Sequence, residues 1–266
     1  MGRSFLSLRL MQAVQKNQPD DAIRLLEAGL NLSDPEPNGL DSVLILALQK
    51  DLTSVAKALL QYGVNPNAQD AESKNPVLIL AIQKSQTETV SELLWAGADP
   101  NSKDAESNTS ALILAVQKSQ AEIVSTLLNA GADPNSHTED SRTPAMVLAI
   151  QKNQAATVEA LLAAGADPNG RERESGAPGL LLAVQKGLDL SVKLLLEHQA
   201  DPSLMAAASS GQLEILDELL RCGSDSNWEN EGVTALSLAQ KHGHSEAVKM
   251  LTAHAAANSK RSLPCF

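Results

Sequence analysis

The chain has 266 residues, of which 43% are hydrophobic and only 2% aromatic, so its core must be mainly aliphatic and suits helix-on-helix packing. A net charge of −11 excludes general nucleic-acid affinity, because phosphate contacts need a basic surface. No apolar run is long enough to span a bilayer. The two cysteines, Cys222 and Cys265, do not make a disulfide framework, which predicts a reducing compartment: the cytoplasm, with entry to the nucleus also open.

Two short patterns recur along the chain at a fixed step of 34 residues. A glycine that follows paired leucines stands at Gly29, Gly63, Gly97, Gly131 and Gly165. A Gln-Lys pair keeps the same step, at Gln15–Lys16, Gln49–Lys50, Gln83–Lys84, Gln117–Lys118, Gln151–Lys152 and Gln185–Lys186. A single helical hairpin of this length cannot bury its apolar face alone, so the repetition predicts a stacked solenoid.

Each repeat has the same predicted elements in chain order. A polar segment rich in turn formers, such as residues 65–75, comes first. A short helix over residues 77–84 follows, then a small or polar residue such as Ser85 that tolerates the left-handed conformation. The second helix covers residues 87–96 with Val90, Leu93 and Leu94 on one face, and glycine ends it.

These phrases resemble those of ankyrin repeats. GADPN at Gly97–Asn101, Gly131–Asn135 and Gly165–Asn169 is similar to the GADVN phrase, and RTPAMVLA at Arg142–Ala149 to the TPLHLA phrase. The resemblance implies an all-α ankyrin-repeat solenoid of stacked helical hairpins with protruding loop or β-hairpin fingers. In ankyrin repeats a histidine at this position makes hydrogen bonds that stabilise the finger loop. An apolar residue replaces it here, so the usual hydrogen-bond network of the finger is not predicted. The replacements are Ile45, Ile79, Ile113, Val147 and Leu181.

The predicted organisation is a single repeat domain over residues 1–257. Residues 5–29 are expected to form the N-terminal cap, residues 232–257 the C-terminal cap, and residues 258–266 a disordered tail. The seventh repeat is short, with only 24 residues from Gln199 to Gly223. Asp201 and Pro202 lead straight into the helix that begins near Leu204, so this repeat is predicted to lack its finger.

The Gln-Lys pairs are the candidate binding ladder. By resemblance they end the first helices, which line the concave face where ankyrin proteins contact partners. One interpretation is a groove for an extended or acidic partner, in which lysines attract it and glutamines bind its backbone. The candidate residues are Gln49, Lys50, Gln83, Lys84, Gln117, Lys118, Gln151, Lys152, Gln185 and Lys186. Two other interpretations stay open, a relic of repeat duplication and a lysine that stabilises the helix dipole.

Charges in the fingers would offset repulsion along the lysine row. The candidate acids are Asp70, Glu72, Asp104, Glu106, Glu139, Asp140, Glu172 and Glu174. Trp95 occupies a polar position of the outer helix, and Trp228 stands beside the missing finger; each is either a partner anchor or a packing residue. Asn101, Asn135 and Asn169 resemble the ankyrin asparagine that some cells β-hydroxylate.

The predicted function is a protein–protein interaction module, a scaffold or adaptor, that binds a partner protein on the concave face. The alternative is a structural or assembly protein that self-associates through its outer helices. No catalytic motif, phosphate loop or metal-ligand spacing is present, so no enzyme activity, cofactor or metal is predicted. The expected partner is another protein, with no nucleic acid and no membrane, and the expected state is a monomer.

Overall fold

The computed structural model describes residues 3–29, 38–172, 178–198, 200, 204–211, 213–221, 226–227, 229–230 and 232–261. They group into two compact units, Met1–Ala145 and Met146–Phe266, each with its own buried aliphatic side chains. The single domain over residues 1–257 stays a prediction.

In the first unit, helical hairpins follow one another as predicted. Its helices are α1 (Arg3–Gln15), α2 (Pro19–Gly29), α3 (Asn38–Gln49), α4 (Thr53–Gln61), α5 (Val77–Gln83), α6 (Thr87–Trp95), α7 (Ala111–Gln117) and α8 (Ala121–Asn129). The first helices α3, α5 and α7 pack side by side, and so do the second helices α4, α6 and α8. This is the stacking that a 34-residue repeat requires.

The second unit continues the pattern after α9 (Ala145–Gln151), which begins at the last residue of the first unit. Its further helices are α10 (Ala155–Ala163), α11 (Gly179–Gln185), α12 (Asp189–Glu197), α13 (Leu204–Ser210), α14 (Leu213–Arg221), α15 (Ala235–Lys241) and α16 (Ser245–Arg261). Two short antiparallel strands, β1 (Glu229–Asn230) and β2 (Val233–Thr234), form the last finger. The all-α fold of helical hairpins is therefore confirmed.

Each hairpin turns at the small or polar residue that the sequence places there. Ser85 has a φ of 60° and Ser119 a φ of 58°, the left-handed conformation. The same conformation recurs at Asn17, Asp51, Asn153 and Gly187. The second helices end at glycine in a Schellman motif, since Ala98 N donates to Leu93 O at 2.9 Å and Gly97 N to Leu94 O at 3.1 Å.

The fingers of the first unit are narrow hairpins held by one isolated β-bridge each. The bridges join Gln69 to Pro76, Lys103 to Ser110 and His137 to Pro144. The isoleucines that replace the family's His, such as Ile79 and Ile113, are fully buried in the core. Polar contacts within each finger close the loop instead.

The seventh repeat lacks its finger, as predicted. Only six residues separate the end of α12 at Glu197 from the start of α13 at Leu204, whereas fifteen separate α10 from α11. Helix α16 continues to Arg261, past the predicted start of the tail at residue 258. The remaining tail residues, 262–266, lie outside the described part of the chain.

Candidate functional site

The Gln-Lys pairs of the first unit stand at the exposed ends of neighbouring first helices. Helices α3, α5 and α7 end at Gln49, Gln83 and Gln117, and the following lysines are exposed. Each helix stops there because the residue after the lysine, Asp51, Ser85 or Ser119, is left-handed. Since α3 packs on α5 and α5 on α7, the pairs form one continuous row in this unit.

A half-buried leucine lies one helical turn before each lysine. Leu46, Leu80 and Leu114 precede their lysines by four residues, the spacing that places side chains on one helix face. We call the surface made by these leucines and the pairs the Leu-Gln-Lys strip. Its members are Leu46, Gln49, Lys50, Leu80, Gln83, Lys84, Leu114, Gln117 and Lys118. The sequence analysis did not single out these leucines, because the first helices are aliphatic almost throughout and carry no signal of which leucines stay partly exposed.

Two of the glutamines bind acids of the finger that follows. Gln83 Nε2 donates to Asp104 Oδ2 at 3.0 Å, and in the second unit Gln151 Nε2 donates to Glu172 Oε1. The finger after Gln117 carries Thr138 at the equivalent position, and its hydroxyl is bonded to Ser141 and to Thr143 N. These glutamines therefore join a helix end to a finger.

Lys84 also makes contacts within the protein. Its Nζ donates to Gln49 O at 3.1 Å and lies 3.9 Å from Asp51 Oδ1. It therefore neutralises the C-terminal end of the preceding first helix, as expected from the helix dipole. Lys50, Lys118, Lys152 and Lys186 are exposed, and no side-chain partner is found for them among the described residues.

A second row of glutamines at the start of the second helices ties neighbouring hairpins together. Gln86 Nε2 donates to Leu48 O at 2.8 Å, and Gln120 Nε2 donates to Ile82 O at 3.0 Å. Gln120 Nε2 also reaches Ser85 Oγ at 2.6 Å. Sequence reasoning missed this row, although its 34-residue step was a signal of a structural role.

The finger acids mainly hold the fingers closed. Asp104 Oδ1 accepts from Ser107 N at 2.8 Å and from Ser107 Oγ at 2.8 Å. These bonds, with a weaker one from Asn75, hold the pKa of Asp104 below its usual value against the opposing effect of burial. Asp70 repeats the arrangement with Ser73, whose N–H and hydroxyl lower its pKa too.

Glu139 links two neighbouring fingers. Its Oε1 accepts from Lys103 Nζ at 3.0 Å and from Asn108 Nδ2 at 2.7 Å, and the bond from Lys103 lowers its pKa. Asp140 accepts from Ser141 N, which lowers the pKa of that carboxyl as well. Glu174, which was predicted beside Glu172, lies outside the described residues.

Trp95, the last residue of α6, is 83% exposed. The indole is therefore available to a partner, and its role as a partner anchor or as a packing residue stays a prediction. Trp228, the other candidate anchor, lies outside the described residues.

The candidate hydroxylation sites are structural asparagines. Asn101 Oδ1 accepts from Asp133 N at 2.8 Å, and Asn101 Nδ2 donates to Gly131 O at 3.3 Å. The backbone N–H groups of Asn101, Asn135 and Asn169 each donate to the carboxylate two residues before them. The asparagine of each DPN phrase thus shapes the turn after the second helix.

Neither a metal site nor a membrane-spanning helix is found in the described part of the chain. No three His, Cys, Asp or Glu side chains there are placed so that they could hold a metal ion. No helix among those residues is both long and apolar enough to cross a bilayer.

Comparison with known proteins agrees with the repeated helical hairpins of the structure. A family model described as "Ankyrin repeats (3 copies)" matches residues 10–104, 78–172, 112–204 and 180–262. A search of curated proteins found no match.

Solved structures extend the comparison. The ankyrin repeat domain of Bcl-3, described as a unique member of the IkappaB protein family, is 29% identical with a TM-score of 0.57. The match covers 79% of this chain and 96% of that one. The human ASB11 ankyrin repeat domain is 24% identical with a TM-score of 0.50, covering 78% and 96% of the two chains. The ankyrin repeat protein EF0377 is 23% identical with a TM-score of 0.56, covering 72% and 97%.

Proposed function

Because the chain belongs to the ankyrin-repeat family, we propose that it is a protein–protein interaction module that binds a partner on its concave face. The observation that carries this proposal is the Leu-Gln-Lys strip. Members of this family serve as interaction modules, and nothing in the sequence supplies catalytic chemistry, so the proposal includes no enzyme activity and no cofactor. We place the activity, that of a scaffold or adaptor, in the cytoplasm.

The strip favours a partner segment that is both apolar and acidic. The half-exposed leucines offer apolar area, and the lysines one turn further along each helix attract carboxylates. Gln117 has no finger carboxylate opposite it, which leaves its amide available for a partner's backbone. An extended segment with acidic and apolar side chains at the spacing of the repeats would contact the leucines, the lysines and Gln117 together.

The test is a double substitution of Lys50 and Lys118 to alanine. These lysines are preferred to Lys84 because Lys84 stabilises a helix end, so its removal would mix folding with binding. The protein is used as bait in a lysate of its source organism, and the affinity for the captured partner is measured at several salt concentrations. The matched control replaces Lys193 and Lys249, which removes the same charge from other surfaces.

We expect the strip variant to bind about fivefold more weakly, since two exposed ion pairs contribute roughly 0.5 kcal/mol each. The salt dependence of the affinity should also become shallower. The control variant should match the wild type. Equal affinity of the strip variant and the wild type would remove the lysines from the binding site and return the Gln-Lys pairs to a structural role.

Self-association through the outer helices is the second candidate function, and the exposure of Trp95 favours it. Sedimentation velocity of the wild type beside Trp95→Gln tests it over a wide range of concentration. Pairing through Trp95 would be supported if the wild type sediments more slowly on dilution while the sedimentation rate of the variant does not change. A monomer at all concentrations would exclude it.

We also propose β-hydroxylation of Asn101, Asn135 and Asn169, on the basis of the family resemblance. Mass spectrometry of the native protein tests this directly. Peptides that contain these asparagines should carry the added mass of one oxygen atom, and unmodified peptides only would contradict the proposal.

A further inference from the structure

The three first helices that carry the Leu-Gln-Lys strip repeat at a short and regular spacing. Cα atoms of α3 and α5, and of α5 and α7, approach within 8 Å of one another. Helices packed this closely have axes about 8–10 Å apart. The side chain of Lys84 spans one such step, since its Nζ donates to Gln49 O at 3.1 Å. A partner that follows the strip therefore meets the same set of side chains again after about 8–10 Å.

The strip consists of two parallel rows, one apolar and one cationic. Within each helix the leucine and the lysine are four residues apart, which separates the two rows by about 6 Å along the helix axis. The pairs, in chain order, are Leu46 with Lys50, Leu80 with Lys84, and Leu114 with Lys118. A segment that crosses the three helices runs along both rows, so each repeat offers it one apolar and one cationic contact.

The protein neutralises the cationic row only in part. Lys84 Nζ lies 3.9 Å from Oδ1 of Asp51, which stands 33 residues earlier in the chain. At the same distance before Lys50 and Lys118 the chain carries an asparagine and a serine, which have no charge. Neither of these two lysines forms an ion pair with any residue that the structure describes. A complementary partner therefore needs carboxylates at the spacing of the repeats.

Regular chain conformations differ in how well they fit this spacing. In a β-strand every second side chain points to the same side, which gives a repeat of about 6.6 Å. An α-helix repeats after about 5.4 Å for one turn and about 10.8 Å for two turns. The polyproline II helix has three residues per turn and a rise of about 3.1 Å, so one side recurs after about 9.3 Å. Of these values, the last alone lies within the spacing of packed helices.

We propose, on the basis of the proposed binding function of the concave face, that the strip recognises a polyproline II segment with one acidic and one apolar side chain in every three residues. The three side chains of each turn point about 120° apart. One faces the lysine row, the next faces the leucine row, and the third points to solvent. Proline suits the third position because its fixed φ favours this conformation. The segment has no internal hydrogen bonds, so its carbonyl groups stay available to the exposed amide of Gln117.

The experiment measures the binding of synthetic peptides to the full chain by fluorescence anisotropy at low salt. The first peptide carries three Glu-Leu-Pro triplets, which span about 28 Å and so cover three repeats. The second carries three Leu-Glu-Pro triplets, the order that fits the opposite chain direction. The control peptide has the same composition and charge in blocks, with three glutamates, then three leucines, then three prolines.

Two protein variants accompany the wild type. The strip variant carries Lys50→Ala and Lys118→Ala, and the matched control carries Lys193→Ala and Lys249→Ala on helices α12 and α16. Because Lys50 and Lys118 are exposed, the strip variant should fold, and its circular dichroism spectrum verifies this.

We expect at least one triplet peptide to bind saturably and about tenfold more tightly than the block peptide, which pairs with one repeat at a time. Its affinity should fall about fivefold in the strip variant and should not change in the control variant. Double-mutant cycles test the register, with glutamine in place of one glutamate of the peptide. The glutamate at one end should couple with Lys50 and the glutamate at the other end with Lys118.

Two results would overturn the proposal. Equal affinity for triplet and block peptides, with both weakened in the strip variant, would overturn the three-residue register and leave the binding of acidic segments to the strip intact. Absence of saturation with both triplet peptides, or equal weakening in the two protein variants, would overturn the polyproline II partner. The lysate capture with the same lysine variant then decides separately whether the concave face binds a partner protein.

Discussion

Gln83 Nε2 lies 3.0 Å from Asp104 Oδ2, so the polar end of one first helix is tied to the finger of the next repeat. The acceptor is a largely buried carboxylate that also closes its own finger through Ser107. One bond therefore connects helix end, finger and neighbouring repeat. This arrangement gives the glutamine of the Gln-Lys pair a structural role at this position.

The first prediction compares two glutamines that the sequence alone treats as equivalent. Gln83→Ala should lower the free energy of unfolding by about 1–2 kcal/mol, because it removes a hydrogen bond to a charged acceptor. Gln117→Ala should change it by less than about 0.5 kcal/mol, since the next finger offers no carboxylate there. Urea denaturation measures both. Equal costs would mean that the bond to Asp104 does not matter for stability.

The hairpin architecture could be predicted from the sequence because it depends on local signals. The left-handed residues at Ser85 and Ser119, the glycine helix ends and the missing seventh finger all follow from residue type and spacing. The bonds of Gln83 and Gln86 could not be predicted in this way. They join residues 21 and 38 positions apart, and their existence depends on how closely neighbouring hairpins pack.

The candidate site was partly predictable for the same reason. The sequence places every Gln-Lys pair at an exposed helix end, and the structure agrees in the first unit. The repeat sequence does not show whether a given lysine is available to bind a partner. Lys84 and Lys118 both stand in the sequence Gln-Lys-Ser-Gln, yet their contacts differ. The exposure of Leu80 likewise depends on the neighbouring hairpins and fingers.

The second prediction concerns the pH dependence of stability at Asp104. Its pKa is lowered chiefly by the N–H of Ser107, so the folded state holds this proton less tightly than the unfolded chain. The stabilisation is therefore complete above the ordinary aspartate pKa and is lost as pH falls through the lowered folded value. Urea midpoints between pH 6 and pH 2 should fall less steeply for Asp104→Asn than for the wild type. Ser107→Ala, which keeps the backbone donor, should give an intermediate slope, and a slope as steep as wild type in both would contradict this.

The third prediction has the opposite sign and concerns Asp41 in the first turn of α3. Burial raises its pKa, against the N–H of Asn65, which lowers it, and Oδ1 is buried with no partner among the described residues. The folded state therefore holds the proton more tightly, so the carboxylate destabilises the protein once pH rises above the ordinary aspartate range.

Asp41→Asn should accordingly raise the urea midpoint at pH 7, and the gain should shrink towards pH 3. The matched control is Asp20→Asn, an exposed aspartate in the first turn of α2. Removing the Asp20 charge should lower the free energy of unfolding by about a few tenths of a kcal/mol at pH 7, because a negative charge stabilises a helix N-terminus. A lower midpoint for Asp41→Asn at pH 7 would show that the carboxylate is stabilising.

The fourth prediction concerns the ion pair between neighbouring second helices, Lys57 of α4 and Glu92 of α6. The hydrogen bond to Glu92 raises the pKa of Lys57, but the lysine is well exposed and solvent screens the pair. Lys57→Met should therefore lower the free energy of unfolding only slightly in urea denaturation, and salt should reduce the difference. A larger loss that persists at high salt would indicate that Lys57 acts through packing.

The last prediction concerns the asparagines that join consecutive turns. Asn101 accepts from Asp133 N and donates to Gly131 O, and Asn67 makes the same two bonds to Asp99 N and Gly97 O one repeat earlier. Each alanine substitution removes both bonds between neighbouring repeats and leaves two backbone groups to water. Asn101→Ala and Asn67→Ala should therefore each cost about 1–2 kcal/mol in urea denaturation.

Gln61→Ala is the control for these variants, since Gln61 is an exposed residue at the end of α4 and should change the free energy of unfolding by less than about 0.5 kcal/mol. A cost at Asn101 no larger than this control would show that water replaces its bonds without loss. Because β-hydroxylation adds its oxygen at Cβ and keeps the amide, a modified Asn101 should retain both bonds and the wild-type stability. Hydroxylation that destabilises the protein as much as alanine does would mean that the amide no longer reaches Asp133 N and Gly131 O.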